Sequence, residues 1–383
     1  MVALVSMLAV AGVGGCARVG ADAPDERTLS IAMGATADRP GYTALVRGAE
    51  LALAAVNTER RAGGRAPITL LQPARKTTSA VEVALQWRDN SAVVGVLGHP
   101  ESGATLEALP LYGDLERAGA RGVTVVSPTA TSPALAGRSD WLFRLAPSDV
   151  AASRALAEHL TAVARLRRAA IIYRNDSYGR DWAQAFRAEY ARRGGTVVLR
   201  EPYLTGVVEW PAFAALVAAR APEVVLFPGD ALDAAALLRA LRAEGTRPRF
   251  IGGDGTDGLL ESGEFAGAQV MSFLAADSTR SASARAFFVR YRERYGADPD
   301  QFAIAGHDAA LVLARAIASV DGTPNGRDAV ARRRAVREWI AGLGTRHAPL
   351  EGAGGTIAFD AAQEITRRAM RLIQVAERAG ATP

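Results

Sequence analysis

Five stretches of the chain place hydroxyls, carboxylates and a phenol just beyond runs of apolar residues. Gly98-His99-Pro100-Glu101-Ser102-Gly103 follows a Val-Val-Gly-Val-Leu run, and Ser127-Pro128-Thr129-Ala130-Thr131 follows Val125-Val126. Arg174-Asn175-Asp176-Ser177-Tyr178-Gly179 follows Ala170-Ile171-Ile172-Tyr173. Gly229-Asp230 follows Phe227-Pro228, and Gly252-Gly253-Asp254-Gly255 follows Phe250-Ile251. These groups can hold a zwitterion in a water-poor place. A carboxylate needs hydrogen-bond donors, and an ammonium needs acceptors. Ser102, beside a helix start, offers a hydroxyl near backbone N–H groups and the positive end of a helix dipole. Thr131 offers a hydroxyl and an N–H on a loop bracketed by prolines. Asp254, flanked by glycines that permit a sharp turn, can face a cleft. Each also has an ordinary reading. Ser102 can be a helix N-cap, Thr131 and Asp254 can serve turns, and Tyr178 can be surface packing.

Other chemistry is poorly represented. The four histidines, His99, His159, His307 and His347, lack metal-ligand spacing. No nucleophile elbow or P-loop is present, and Gly252-Gly253-Asp254-Gly255 is too short for a dinucleotide fingerprint. His99 neighbours the proposed site and is a candidate supporting residue. No catalytic constellation, metal or cofactor is expected, so the chain reads as a binder and not an enzyme.

The elements that must position these residues follow from hydrophobic period. Strand-like runs at 28–34, 68–72, 92–98 and 122–127 alternate with helical patterns at 42–60, 79–88 and 104–118. After 141–146 the alternation restarts: helices at 150–164, 179–193, 212–219 and 231–244, strands at 169–174, 196–200, 223–227 and 249–253. A strand at 268–274, helices at 282–295, 301–319 and 328–343, and strands at 355–359 and 369–376 complete the chain. Fully apolar strands joined by helices imply α/β architecture, two doubly wound parallel sheets each covered on both faces. Length also favours two domains, since the chain has 383 residues. Ligands of such sheets bind beyond the carboxyl ends of the strands.

Composition narrows the partners. Apolar residues make up 49 % and the net charge is +5. Lys76 is the only lysine, and the arginines are scattered among alanines on helices, so nucleic acid is not an expected partner. The run Arg332-Arg333-Arg334 reads as a solvated helix face. Residues 2–15 form an uncharged apolar run, short for a membrane span, ending Val13-Gly14-Gly15-Cys16. That ending resembles the lipobox of bacterial lipoproteins. It implies a leader over 1–16, lipidation at Cys16, a tether over 17–27, and a protein exported to the periplasm or to the outer face of the membrane, held there by the lipid on Cys16. With its single cysteine lipidated, the chain would have no disulfide or thiol chemistry.

In their order and spacing, the loops at 98–105, 125–133 and 170–179, with 250–255, resemble the periplasmic branched-chain amino-acid (Leu/Ile/Val) binding proteins, type I solute receptors of ABC transporters. The resemblance spans 28 to about 377. It implies two hinged lobes, 28–148 with 276–367 and 149–275 with 368–383. It implies that Ser102, Thr131 and the backbone at Thr129 grip a ligand's carboxylate and ammonium. Asp254 would pair with the ammonium, Tyr178 would close over it, and Asp230 would occupy a cleft position. The partners it implies are a small amino-acid-like ligand and an ABC permease, with the protein a monomer. A sensor or regulatory lipoprotein controlling a partner through the same fold is the alternative. Pro100-Glu101 stands where relatives have small or apolar pocket residues, so Glu101 either faces solvent or suits the pocket to polar or cationic ligands. The loop 36–42 is expected to add contacts, with Tyr42 as its aromatic candidate.

Overall fold

The computed structural model describes residues 29–39, 41–74, 77, 79–114, 121–274, 281–323 and 328–377. The leader, Cys16 and the tether lie outside these residues.

The first sheet contains β1 (Leu29–Gly34), β2 (Ile68–Leu71), β3 (Val93–Gly98), β4 (Thr124–Ser127) and β5 (Leu142–Arg144), ordered β2-β1-β3-β4-β5 and all parallel. The second contains β6 (Arg168–Arg174), β7 (Thr196–Tyr203), β8 (Val224–Phe227), β9 (Arg249–Gly252), β10 (Gln269–Ser272) and β13 (Arg371–Gln374). Its order is β13-β10-β9-β8-β6-β7, parallel except for β13, which pairs antiparallel with β10. Read from β7, the second sheet repeats the order of the first. Each therefore has a topological switch point, between β1 and β3 and between β6 and β8. At such points the flanking connections leave in opposite directions and open a crevice. A two-stranded ribbon, β11 (Leu350–Gly352) and β12 (Gly355–Ile357), lies outside both sheets.

Strand side chains alternate between two cores, as a sheet covered on both faces requires. Ile31 and Met33 join α1 (Tyr42–Ala62) and α9 (Gln301–Val320), while Ala32 joins α2 (Ala80–Arg88) and α3 (Ser102–Tyr112). In the second sheet, Ala170 and Ile172 face α6 (Trp210–Arg220) and α7 (Ala231–Ala243). Ala169, Ile171 and Tyr173 face α4 (Asp149–Glu158) and α5 (Ser177–Arg192). The outer helices α8 (Ala282–Tyr295) and α10 (Ala329–Ala341) add Phe287, Phe288, Val336 and Ile340 to the first core. Helix α9 is long and apolar enough to cross a membrane by composition, but it is a core helix, largely buried against α1.

Three expectations need correction. Helix α3 begins at Ser102 and ends at Tyr112 instead of spanning 104–118. Gly113 follows it, and Asp114 adopts a left-handed φ of 47° that ends the helical turn. The helix expected over 150–164 is α-helical to Glu158, then widens into a π turn at His159–Val163. The arginine run is not a solvated face, because Arg332 and Arg333 are buried. Arg333 donates to the carbonyls of Arg88, Asn90 and Val93, satisfying backbone acceptors from the end of α2 to the start of β3. Burial pulls its guanidinium pKa down to about 10.

Candidate functional site

A cavity of about 760 Å³, open mouth included, lies where the loops after β3, β4, β6, β8 and β9 converge. Both switch points thus contribute to one site. Pro100, Glu101, Ser102, Gly103 and Thr129 come from the first sheet's loops. Arg174, Asp176, Tyr178, Gly229, Asp230, Asp254 and Gly255 come from the second's, and Gln301 and Phe302 from the start of α9.

At the α3 end, Glu101 occupies the N-cap position and makes no side-chain cap, while Ser102 is the first helical residue. Ser102 is therefore not the cap. Its Oγ accepts from the backbone N of Ser132 at 3.2 Å, and its hydroxyl hydrogen remains available for another acceptor. The first N–H groups of a helix lack partners within it, so Ser102 and α3 together form an anion-favouring end. Thr129 Oγ1 donates to the Pro100 carbonyl at 2.7 Å, tying the β4 loop to the β3 loop.

Opposite, Tyr178 donates its hydroxyl to Asp254 Oδ1 at 2.8 Å. Gly253 precedes Asp254 with φ −72° and ψ 178°, which any residue could adopt. Its lack of a side chain is needed for space instead, since a Cβ there would stand 2.3 Å from the Tyr178 hydroxyl. The glycine expected to permit a turn in fact permits an approach. Gln301 Nε2 donates to the Asp254 carbonyl at 3.2 Å, so α9, packed in the first core, reaches the second sheet's acid. Burial pushes the Asp254 pKa up to about 6, against the lowering effects of the Tyr178 hydrogen bond and Arg174. Burial, then the charges of Asp254 and Asp149, pushes the Tyr178 phenol well above its usual range.

Two acids on the second sheet are helix caps as well as cavity walls. Asp176 Oδ1 accepts from Gly179 N, and Asp230 Oδ1 from Asp233 N. Their second oxygens bracket Arg174, at 2.5 Å from Nε and 3.7 Å from Nη1. Glu101 pairs with Arg39 at 3.5 Å, both partly exposed.

The structure thus brings Glu101, Ser102, Thr129, Tyr178, Asp230 and Asp254 into one cavity wall. Thr131 is not in that wall. It is buried behind it, where its carbonyl accepts from Asp149 N at 2.9 Å. Tyr42 is also elsewhere, buried with its hydroxyl on Gln72, and the aromatic residue supplied by the first core is Phe302. Gly41, with φ 75°, makes room for it, since a Cβ there would lie 2.4 Å from the Phe302 ring. His99 is buried against Tyr112 with its pKa held down to about 3, by burial first and by Arg39 second, so its ring is neutral. It lines a small neighbouring pocket with Thr36 and Arg39, not the main cavity.

The sequence reading missed Asp149. It is fully buried, and neither carboxylate oxygen nor Thr131 Oγ1 has a partner at hydrogen-bond geometry. Burial first, then the Asp254 charge, pushes its pKa well above the ordinary carboxylate range. A signal existed in Ser148-Asp149, two capping residues before one helix. Ser148 caps α4, leaving Asp149 with no capping duty. Among the described residues, no group of three or more His, Cys, Asp or Glu side chains is arranged to hold a metal ion.

Comparison with known proteins bears on the family and the fold. The profile of the family described as periplasmic binding protein matches residues 32–381. An amino acid binding protein of Pseudomonas aeruginosa is 29 % identical over 177 residues, 46 % of this chain and 46 % of that relative, so the match spans less than half of the relative's length. Leu/Ile/Val-binding protein homolog 1 of Brucella abortus is 25 % identical over 274 residues, 70 % of this chain and 72 % of that one. Among solved structures, the branched-chain amino acid transporter substrate binding protein LivJ of Streptococcus pneumoniae, in complex with isoleucine, superposes with a TM-score of 0.75. It shares 22 % identity and covers 91 % of this chain and 99 % of its own. A solute binding protein of R. palustris in complex with benzoate gives 0.73 at 19 % identity, covering 93 % of this chain and 98 % of its own. At these identities the two structures share the fold and say nothing further about this chain's ligand.

Proposed function

This chain belongs to the periplasmic binding protein family, and we propose that it captures an α-amino acid, or an analogue with the same head group, for delivery to an ABC permease. The observation that carries the proposal is the polarity of the cavity. Ser102 and the amino end of α3 face it from one sheet, and the Tyr178–Asp254 pair faces it from the other. A carboxylate is favoured by the first set and an ammonium by the second. Behind the wall, burial and the charge of Asp254 favour Asp149 in its protonated form, so the negative charge of this end rests on Asp254.

Capture proceeds by closure of two lobes, 28–148 with 276–367 and 149–275 with 368–383. Sheet membership supports this division, since β1 to β5 fall in one and β6 to β10 with β13 in the other. Three crossing segments would form the hinge, and buried ion pairs hold two of them. Arg144, at the end of β5, pairs with Glu364, and Arg368 pairs with Asp308 while donating to the Leu145 carbonyl. A ligand that touches both lobes binds the closed state better than the open one, and that difference in affinity drives closure.

Mass spectrometry of small molecules released by denaturing the purified protein tests the proposal. An α-amino acid or close derivative is the expected find. A stoichiometric compound lacking either an amino or a carboxyl group would contradict it.

A further inference from the structure

The side-chain end of the cavity has a charge composition that a neutral amino acid leaves unanswered. Among the described residues, four carboxylates line the cavity, Glu101, Asp176, Asp230 and Asp254, against one guanidinium, Arg174. Asp254 is bonded to Tyr178 and, on the reading above, takes the ligand's ammonium. Asp176 and Asp230 cap their helices and hold Arg174 between them. One guanidinium already faces two carboxylates, so Arg174 is poorly placed to serve an anionic ligand group.

Glu101 is different. It sits at an N-cap, where Ser, Thr, Asp and Asn are favoured, yet caps nothing. Among the described residues its carboxylate meets Arg39 alone, at 3.5 Å, in a pair screened by solvent and easily exchanged. A residue that breaks a local preference without a local return is a candidate for a functional role. Glu101 stands on the loop after β3 and Asp230 on the loop after β8, so the acidic groups come from both sheets. Phe302 supplies an aromatic ring in the same cavity, a surface that favours cations, whereas the Tyr178 ring already carries Arg174 at 5.9 Å. Closure over an apolar side chain would strip water from Glu101 and leave it the Arg39 pair alone, and an anionic side chain would add repulsion.

We propose that the cavity selects α-amino acids with a positively charged side chain, and that Glu101 is the specificity-determining residue. The inference rests on the head-group assignment made above.

Titration calorimetry on the full chain, freed of retained ligand, with L-lysine, L-leucine and L-glutamate tests it. Lysine is expected to bind at least about tenfold more tightly than leucine, with glutamate weakest, and the gap should narrow at high salt. Glu101→Gln should weaken lysine binding by about tenfold and leave leucine within about twofold. Leucine binding wild type as tightly as lysine, or an undiminished lysine preference in Glu101→Gln, overturns the inference and leaves the head-group assignment standing. Binding of none of the three also overturns the inference, and the compound released on denaturation then decides the head-group assignment separately.

Discussion

Asp254 links the site to stability. Its folded pKa of about 6 lies above the value of about 3.9 for an unfolded chain. The folded state therefore favours the protonated acid. That contribution is complete below about pH 4 and is lost as pH rises through about 6, amounting to about 3 kcal/mol at most. Ligand-free protein should thus carry a buried charge at neutral pH that costs stability until an ammonium arrives. Asp254→Asn removes the ionisation while keeping an acceptor for Tyr178. Denaturant unfolding should find this variant more stable than wild type by about 3 kcal/mol at pH 7.5, with the gap closing as pH falls and gone near pH 3. A difference independent of pH would show that Asp254 is not held up by burial.

At the scale of elements, the alternation of apolar runs and helical patterns was legible because each sheet is covered on both faces. Runs such as 93–98 and 224–227 had to be apolar throughout and could be bounded by period alone. The ends of elements were less legible. Helix α3 stops at Tyr112 because Asp114 turns left-handed, and nothing in its apolar pattern marks that. The burial of Arg333 depends on carbonyls of residues 88 to 93, far away in sequence. Within the site, Ser102, Tyr178 and Asp254 were recognisable because each follows a strand. Phe302 and Gln301 were not, because they reach the cavity through the packing of α9 on α1. Gly253 was noticed for a freedom it does not use. Its role is to let the loop after β9 lie against α5. Gly253→Ala should push the Tyr178 hydroxyl off Asp254 with the fold retained. Loss of a hydrogen bond to a charged group, worth about 1.5–3 kcal/mol, predicts affinity for the preferred amino acid roughly ten- to a hundredfold weaker. Calorimetry on this variant checks it, and unchanged affinity would remove the Tyr178–Asp254 pair from the account.

For the molecule as a whole, the repeated strand order matters more than any one loop. Two sheets with the same topology direct their switch points at one cavity, so each half of a ligand can be held by a different sheet. The head-group end is built from α3 on one side and from α5 and the β9 loop on the other. On the proposed reading the first side serves the carboxylate and the second the ammonium. The central claim is that Asp254 answers the ligand's ammonium across this cleft. Calorimetric titration of wild type and Asp254→Asn with a panel of L-amino acids at pH 7.5 tests it most directly. One-to-one binding of at least one amino acid to wild type is expected, with affinity about a hundredfold or more weaker in Asp254→Asn, as when one partner of a buried charge pair is removed. Equal affinity of the two proteins for the same amino acid would contradict it.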